Sequence, residues 1–189
     1  MSVPALGGLR IVAISGSLRA RSSNTELLRA LGLLAPPAMR VTLYDGLAEL
    51  PPFNPDLDEE GAVPPPPVHA LRTLVAAADA VVICSPEYAH GVAGALKNAL
   101  DWLVSFPALA DTPVALLNAS ARSTIAHAAL SETLRTMSTG WLPDASVTVP
   151  LDGRRLDAAQ IAADPALAAI LHEVLAKIEA AARARTMEQ

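Results

Sequence analysis

The stretch from Leu9 to Leu34 constrains the fold of this chain more than any other. After Arg10, the run Ile11-Val-Ala-Ile14 carries only small or branched apolar side chains, as a buried strand does. It breaks into Ser15-Gly-Ser-Leu-Arg-Ala-Arg-Ser-Ser-Asn24, a loop rich in hydroxyls with one glycine and two arginines. Leu27, Leu28, Leu31 and Leu34 then recur at helical spacing. A strand, a polar loop and a helix in that order make a phosphate cradle, because a helix start has unpaired N–H groups and a positive dipole end. Gly16 lets the backbone turn, and Ser15, Ser17, Ser22, Ser23, Asn24 and Thr25 can donate to phosphate oxygens. Arg19 or Arg21 can add a charge-assisted contact. The loop lacks the Gly-Lys-Ser/Thr ending of a P-loop, which argues against ATP or GTP hydrolysis. With Gly16 as its only glycine, it also lacks the G-x-G-x-x-G fingerprint. Hydroxyls in place of glycines suit a terminal monophosphate. The simpler alternative is an ordinary βα loop whose Ser and Asn cap the helix.

The length of 189 residues suits a single domain, 1–189, with a sizeable core. Hydrophobic residues make up 52% of the chain and aromatic ones 3%, so Ala, Val, Leu and Ile must build that core. A net charge of −5 argues against a general nucleic-acid binder. No stretch has the length and continuity of a membrane span. Met1 to Leu9 lacks the basic-then-apolar pattern of a secretory leader. The lone cysteine, Cys84, excludes an internal disulfide framework and a cysteine zinc site. His69, His127 and His172 show no metal-ligand spacing, and no Ser-His-Asp arrangement is evident. The expectation is a cytoplasmic protein without a metal.

Arg40 to Tyr44 reads as a second strand. Leu47 to Pro67 has no clean period, with many prolines and acids at Asp56, Asp58, Glu59 and Glu60; a functional lid or arm and a solvated linker are both open. Val68 to Ala78 reads as a helix led in by prolines. Ala80 to Cys84 is apolar without alternation, a parallel strand covered on both faces. The next helix, Val92 to Val104, places Val92, Ala95, Leu96, Ala99, Leu100 and Leu103 on one stripe. Val114 to Leu117 is a fourth strand, Ser123 to Met137 a helix, and Ala145 to Val149 a fifth strand. A last helix begins at Asp164-Pro165 and runs to about Arg183. This alternation predicts a doubly wound α/β domain with a parallel sheet. Its ligand belongs beyond the carboxyl ends of the strands, where the order reverses. Three loops fall there: Ser15 to Asn24, Ser85 to Gly91, and Asn118 to Arg122.

The residues of these loops carry a family resemblance. Gly16-Ser-Leu-Arg-Ala-Arg-Ser22-Ser-Asn24 resembles the G-S-L-R-x-x-S-x-N phosphate loop of the NADPH-dependent FMN reductases, flavodoxin-like proteins that include quinone, chromate and azo-dye reductases. Pro86-Glu87-Tyr88, followed by Gly94-Ala-Leu-Lys-Asn-Ala-Leu-Asp-Trp-Leu103, resembles their P-E-Y-N…G-x-L-K-N-A-x-D-W-L segment. Leu50-Pro-Pro-Phe-Asn-Pro-Asp-Leu57 is similar to a weaker family segment. The resemblance covers most of the chain and is weakest after Val104. It implies a flavodoxin-like fold with a five-stranded parallel sheet of order 2-1-3-4-5, and FMN as cofactor. The FMN phosphate would sit against Ser15, Ser17, Arg19, Ser22 and Asn24. The isoalloxazine ring would lie along Pro86, Glu87, Tyr88, Ala89 and Gly91, with Ser120 and Arg122 from the third loop.

The implied activity is ping-pong hydride transfer from NADPH or NADH, through FMN, to free flavin, a quinone or a similar acceptor. The flavin carries the chemistry, so no catalytic side chain is expected. A homodimer or homotetramer is implied as well. Two departures stand out. The family usually has Asn after Pro-Glu-Tyr, where Ala89-His90-Gly91 stands here. Its third loop usually carries Ser with several glycines, whereas Asn118-Ala-Ser-Ala-Arg122 has none, which would tighten the ring pocket or bring Arg122 to the flavin edge. The alternative is a non-enzymatic electron carrier or binding module with weak or lost FMN binding. Cys84 and Trp102 read as core residues, Lys97 and Asp101 as a pair across one helical turn, and Glu87 as acting through its backbone, its side chain exposed or paired with Arg.

Overall fold

The computed structural model describes residues 8–151 and 153–188. β1 (Leu9–Ser15) pairs in parallel with β2 (Met39–Tyr44) on one side and with β3 (Ala80–Cys84) on the other. β3 pairs with β6 (Pro113–Leu117), and β6 with β7 (Gly140–Trp141). The order β2-β1-β3-β6-β7 is the expected 2-1-3-4-5 sheet once a separate hairpin of β4 (Glu87–Tyr88) and β5 (Gly91–Val92) is set aside. The fold is the flavodoxin-like α/β class.

Why the strands read as continuous apolar runs is plain from their two faces. Ile11, Ala13, Val82, Cys84, Ala115 and Leu117 pack with α1 (Ser23–Leu34), α5 (Ala158–Ala163) and α6 (Pro165–Glu188). The alternate residues Val12, Ile14, Val81, Ile83, Val114 and Leu116 pack with α2 (Pro66–Ala76), α3 (Gly94–Asp101) and α4 (Thr124–Thr136). Successive side chains point to opposite faces, and both faces are covered by helices. Trp102 and Cys84 are fully buried, and burial pushes the Cys84 thiol well up from its ordinary value.

The fifth strand differs from the expectation of Ala145 to Val149. The ladder begins earlier, at Gly140 and Trp141, where a Cβ on residue 140 would come 2.8 Å from the Asp111 carbonyl oxygen. It is then interrupted by a 3₁₀ turn at Pro143–Ala145. Ser146 bridges the gap with its side chain: its Oγ accepts the Leu116 N–H at 3.0 Å and donates to the Leu142 carbonyl. The ladder resumes around Thr148, the Asn118 N–H donating to Val147 O and the Val149 N–H to Asn118 O. Proline supplies no ladder donor, so the chain bulges there and a serine hydroxyl stands in as acceptor.

The segment from Leu47 to Pro67 is held to the body at Pro51, Phe53 and Asp58, while residues 59–63 are exposed. Asn98 Nδ2 and Trp102 Nε1 both donate to the Pro51 carbonyl at 2.9 Å, and the Phe53 N–H donates to Asn98 Oδ1 at 2.7 Å. The Phe53 ring meets Trp102 edge-on, with centroids 5.0 Å apart. Arg72 donates to Asp58 and to the Trp102 carbonyl, and lies over Phe106. One face of α3 thereby fastens this proline-rich arm to the body, which accounts for the Asn and Trp of the Lys-Asn-Ala-Leu-Asp-Trp segment.

Candidate ligand site at the carboxyl edge of the sheet

Register brings the three loops together. Ser15 stands opposite Cys84, and Cys84 opposite Leu117, so the chain leaves β1, β3 and β6 at one level. The first two loops touch at Gly16. Its N–H donates to the Cys84 carbonyl at 2.8 Å, and a Cβ there would lie 2.5 Å from Ser85 Oγ and 3.1 Å from Leu96. Only glycine fits between them.

The first loop is braced by its own hydroxyls. Ser15 is buried, shares a hydrogen bond with Thr25 Oγ1 at 2.8 Å and accepts the Ser17 N–H. Ser17 Oγ accepts the Arg19 N–H. Buried Ser22 is the N-cap of α1, its Oγ accepting the Thr25 N–H. Asn24 turns toward β3, where its Oδ1 accepts from Cys84 Sγ at 3.2 Å. The capping alternative is thus realised by Ser22 alone, since Asn24 bonds β3 instead. The amides of Leu18, Ala20, Arg21, Ser22, Ser23 and Asn24 have no acceptor among the described residues. Arg19 and Arg21 are exposed and form no ion pair among those residues. A run of unpaired amides at a helix start, beside free guanidinium groups, can bind an anion.

The second loop is a tight hairpin, which the sequence reading missed. Glu87 pairs with Val92 and Tyr88 with Gly91, leaving Ala89 and His90 as a two-residue turn with φ of 49° and 60°. Positive φ at both central residues is a type I′ turn, and asparagine is at ease there. That is the physical sense of the family's Asn after Pro-Glu-Tyr. The Glu87 carboxylate faces no arginine. Oε2 accepts the Ala126 N–H at 2.9 Å, in the first turn of α4, and Oε1 pairs with His90 Nδ1 at 3.0 Å. The Ala126 hydrogen bond, followed by that of His90, holds the Glu87 carboxyl below its ordinary value. Pro86 and Gly91 are half-buried and Tyr88 exposed, so the hairpin presents Tyr88 to solvent at the site's rim.

Asn118 organises the third loop, a role the sequence reading did not assign. It is buried; its Oδ1 accepts the Ser120 N–H, and its Nδ2 donates to the Ser123 carbonyl and to Thr148. An asparagine two residues before a serine, at a strand end, is the local signal for such a turn. Ser120 Oγ accepts the Arg122 N–H, and Arg122 is exposed without an ion pair among the described residues. No group of three or more His, Cys, Asp and Glu side chains able to hold a metal occurs among the described residues.

Fold and site together define a flavodoxin-like protein with a run of unpaired amides after its first strand. Residues 9–153 match the model of the NADPH-dependent FMN reductases, and the chain belongs to that family. A quinone reductase of Escherichia coli is 40% identical over 114 residues, 59% of this chain and 60% of that protein. An NAD(P)H-dependent FMN reductase of Pseudomonas aeruginosa is 39% identical over 115 residues, 60% of each chain. The matches thus span about 60% of these relatives' length. Among solved structures, the flavoenzyme NAD(P)H:(acceptor) oxidoreductase of Paracoccus denitrificans superposes with a TM-score of 0.69. It is 22% identical, over 90% of this chain and 96% of that one. An NADH:FMN oxidoreductase in its apo form gives 0.61 at 20% identity, over 93% and 89%. These two likenesses carry the fold.

Proposed function

We propose that this protein is an FMN-dependent reductase that moves reducing equivalents from NADPH or NADH to a small acceptor such as a quinone or free flavin. The observation that carries the reading is the first loop, whose unpaired amides and guanidinium groups lie beside two further loops at one level of the sheet. FMN fits this donor set. Its phosphate is matched by the α1 amides, the Ser17 hydroxyl, Arg19 and the Asn24 amide group, with Ser15 and Ser22 holding the loop in shape. Bound there, FMN supplies the hydride and electron transfer.

The protein's own part is to place and shield. The hairpin backbone from Pro86 to Gly91, held on α4 through Glu87, provides a wall for the ring. Arg122 offers a positive charge toward the ring's polar edge. Gly16 lets the first and second loops approach. One open face that takes donor and acceptor in turn gives ping-pong kinetics. Exposed Tyr88 and Ile125, on the hairpin and the helix beneath it, form apolar surface that a second copy of the chain would cover, consistent with a homodimer. A buried, unpaired cysteine fits a cytoplasmic setting.

FMN titration of the purified protein, followed by flavin absorbance and quenching, tests this directly. One-to-one binding is expected, with NADPH oxidation in the presence of a quinone. The Arg19→Ala/Asn24→Ala variant loses contacts worth about 1.5–3 kcal/mol each. Unchanged FMN affinity in that variant removes the phosphate-loop assignment, and absence of FMN binding in the parent removes the function.

A further inference from the structure

The first loop also faces residues 153–157. Between them lies a cavity of about 500 Å³, lined by Arg19, Arg21, Ser22 and Ser23 from the loop and by Arg155 and Leu156 from the other wall. Two carboxylates also border it, and both are engaged. Glu26 is paired with Arg29 and accepts the Ala158 N–H at 3.0 Å, while Asp157 accepts the Gln160 N–H at 2.8 Å as the cap of α5. The three arginines form no ion pair among the described residues. Three arginines against two carboxylates leave the lining with a small positive excess, in a chain of net charge −5.

We infer that this cavity binds a phosphorylated adenosine, the adenine half of a dinucleotide, next to the flavin phosphate. The inference rests on the proposed flavin site for its neighbour. One terminal phosphate is met by the loop's own amides and arginines; Arg155, from the opposite wall, exceeds that need and faces the same space. The volume falls within the range of small-ligand sites, roughly 300–1,000 Å³, and is far larger than a single phosphate requires. Leu156 and the planar guanidinium groups suit the face of a purine, and the guanidinium edges suit phosphate oxygens. Because the cavity shares Arg19 and Ser22 with the cradle, its occupant lies beside the flavin phosphate. Two molecules present that chemistry: NADPH, through its 2′-phosphate, and FAD, through the second phosphate of its own chain.

The test is calorimetric titration of the FMN-loaded protein with 2′,5′-ADP and with 5′-AMP, and of the apoprotein with FMN and FAD. One-to-one binding of at least one adenine nucleotide is expected. Its affinity should fall several-fold to about tenfold in Arg155→Ala and recover in part in Arg155→Lys, while FMN affinity stays within about twofold. Preference for 2′,5′-ADP over 5′-AMP assigns the cavity to NADPH; tighter binding of FAD than FMN assigns it to the flavin. Either supports the inference. No nucleotide binding by the parent, or binding undiminished in Arg155→Ala, overturns it. So does a parallel loss of FMN affinity, which makes the cavity part of the flavin phosphate site. Should FMN fail to bind the parent, the reductase reading falls by itself, and the cavity is judged on 2′,5′-ADP and 5′-AMP with the apoprotein.

Discussion

Replacing Ala89 by Asn should stabilise the protein without touching its core. Ala89 has φ of 49°, and His90 after it 60°, because a two-residue hairpin with right-handed strand twist demands a type I′ turn. A left-handed conformation costs an L-residue such as alanine about 1–2 kcal/mol, by contact between Cβ and the following carbonyl oxygen. Asparagine relieves part of this through local hydrogen bonds of its short side chain. The expected gain is about 0.5–1 kcal/mol, or a rise in Tm of roughly 1–4 °C for a chain of this size. Ala89→Gly removes the clash entirely but gives the unfolded chain more freedom, so it should gain less than its steric relief suggests. Ala89→Val, whose branched Cβ is worst placed at positive φ, should lose stability. Urea midpoints and thermal scans of the three variants, with and without FMN, measure the series. If Ala89→Asn and Ala89→Gly leave the midpoint unchanged or lower it, the turn is not strained and the reasoning is wrong.

Three further outcomes follow from single contacts. Glu87 has its carboxyl held below the ordinary value of 4.5 by the Ala126 N–H and His90, so its contribution is present above that pH and is lost on acidification through the lower, folded value. Thermal scans between about pH 6 and pH 3 should show a shallower acid loss in Glu87→Gln; identical slopes refute the anchoring role. Asn98→Ala removes two hydrogen bonds to the backbone at Pro51 and Phe53 and should cost about 2 kcal/mol, with faster proteolysis between residues 50 and 65; unchanged cleavage would show the arm is held otherwise. Gly16→Ala puts a Cβ 2.5 Å from Ser85 Oγ and should cost about 1–3 kcal/mol and weaken FMN, by equilibrium unfolding and titration; full retention of both would sink the close-approach argument.

Local patterns carried the parts of this protein that depend on near neighbours in the chain. Ala80 to Cys84 matched β3 end for end, since an apolar run between helices has no other way to be covered on both faces. The loop from Ser15 to Asn24 was legible for the same reason, its hydroxyls acting over two or three residues. The capping box of Asp157 and Gln160 is equally local, but α5 was missed because six residues, Ile161 among alanines, are too few to show a period.

Other features have partners far along the chain. Asn98 meets Pro51 and Phe53, 47 and 45 residues away. Glu87 finds its amide on Ala126, and the fifth strand is broken and mended by Ser146 reaching Leu116. Sequence alone determined the strand-loop-helix alternation, the buried faces and the capped first loop, because periodicity and capping are set within a few residues. Tertiary structure decided the strained hairpin, the interrupted fifth strand and the meeting of Arg155 with the first loop. Each of these depends on which backbone groups and charges lie opposite one another after folding, and no spacing along the chain encodes that.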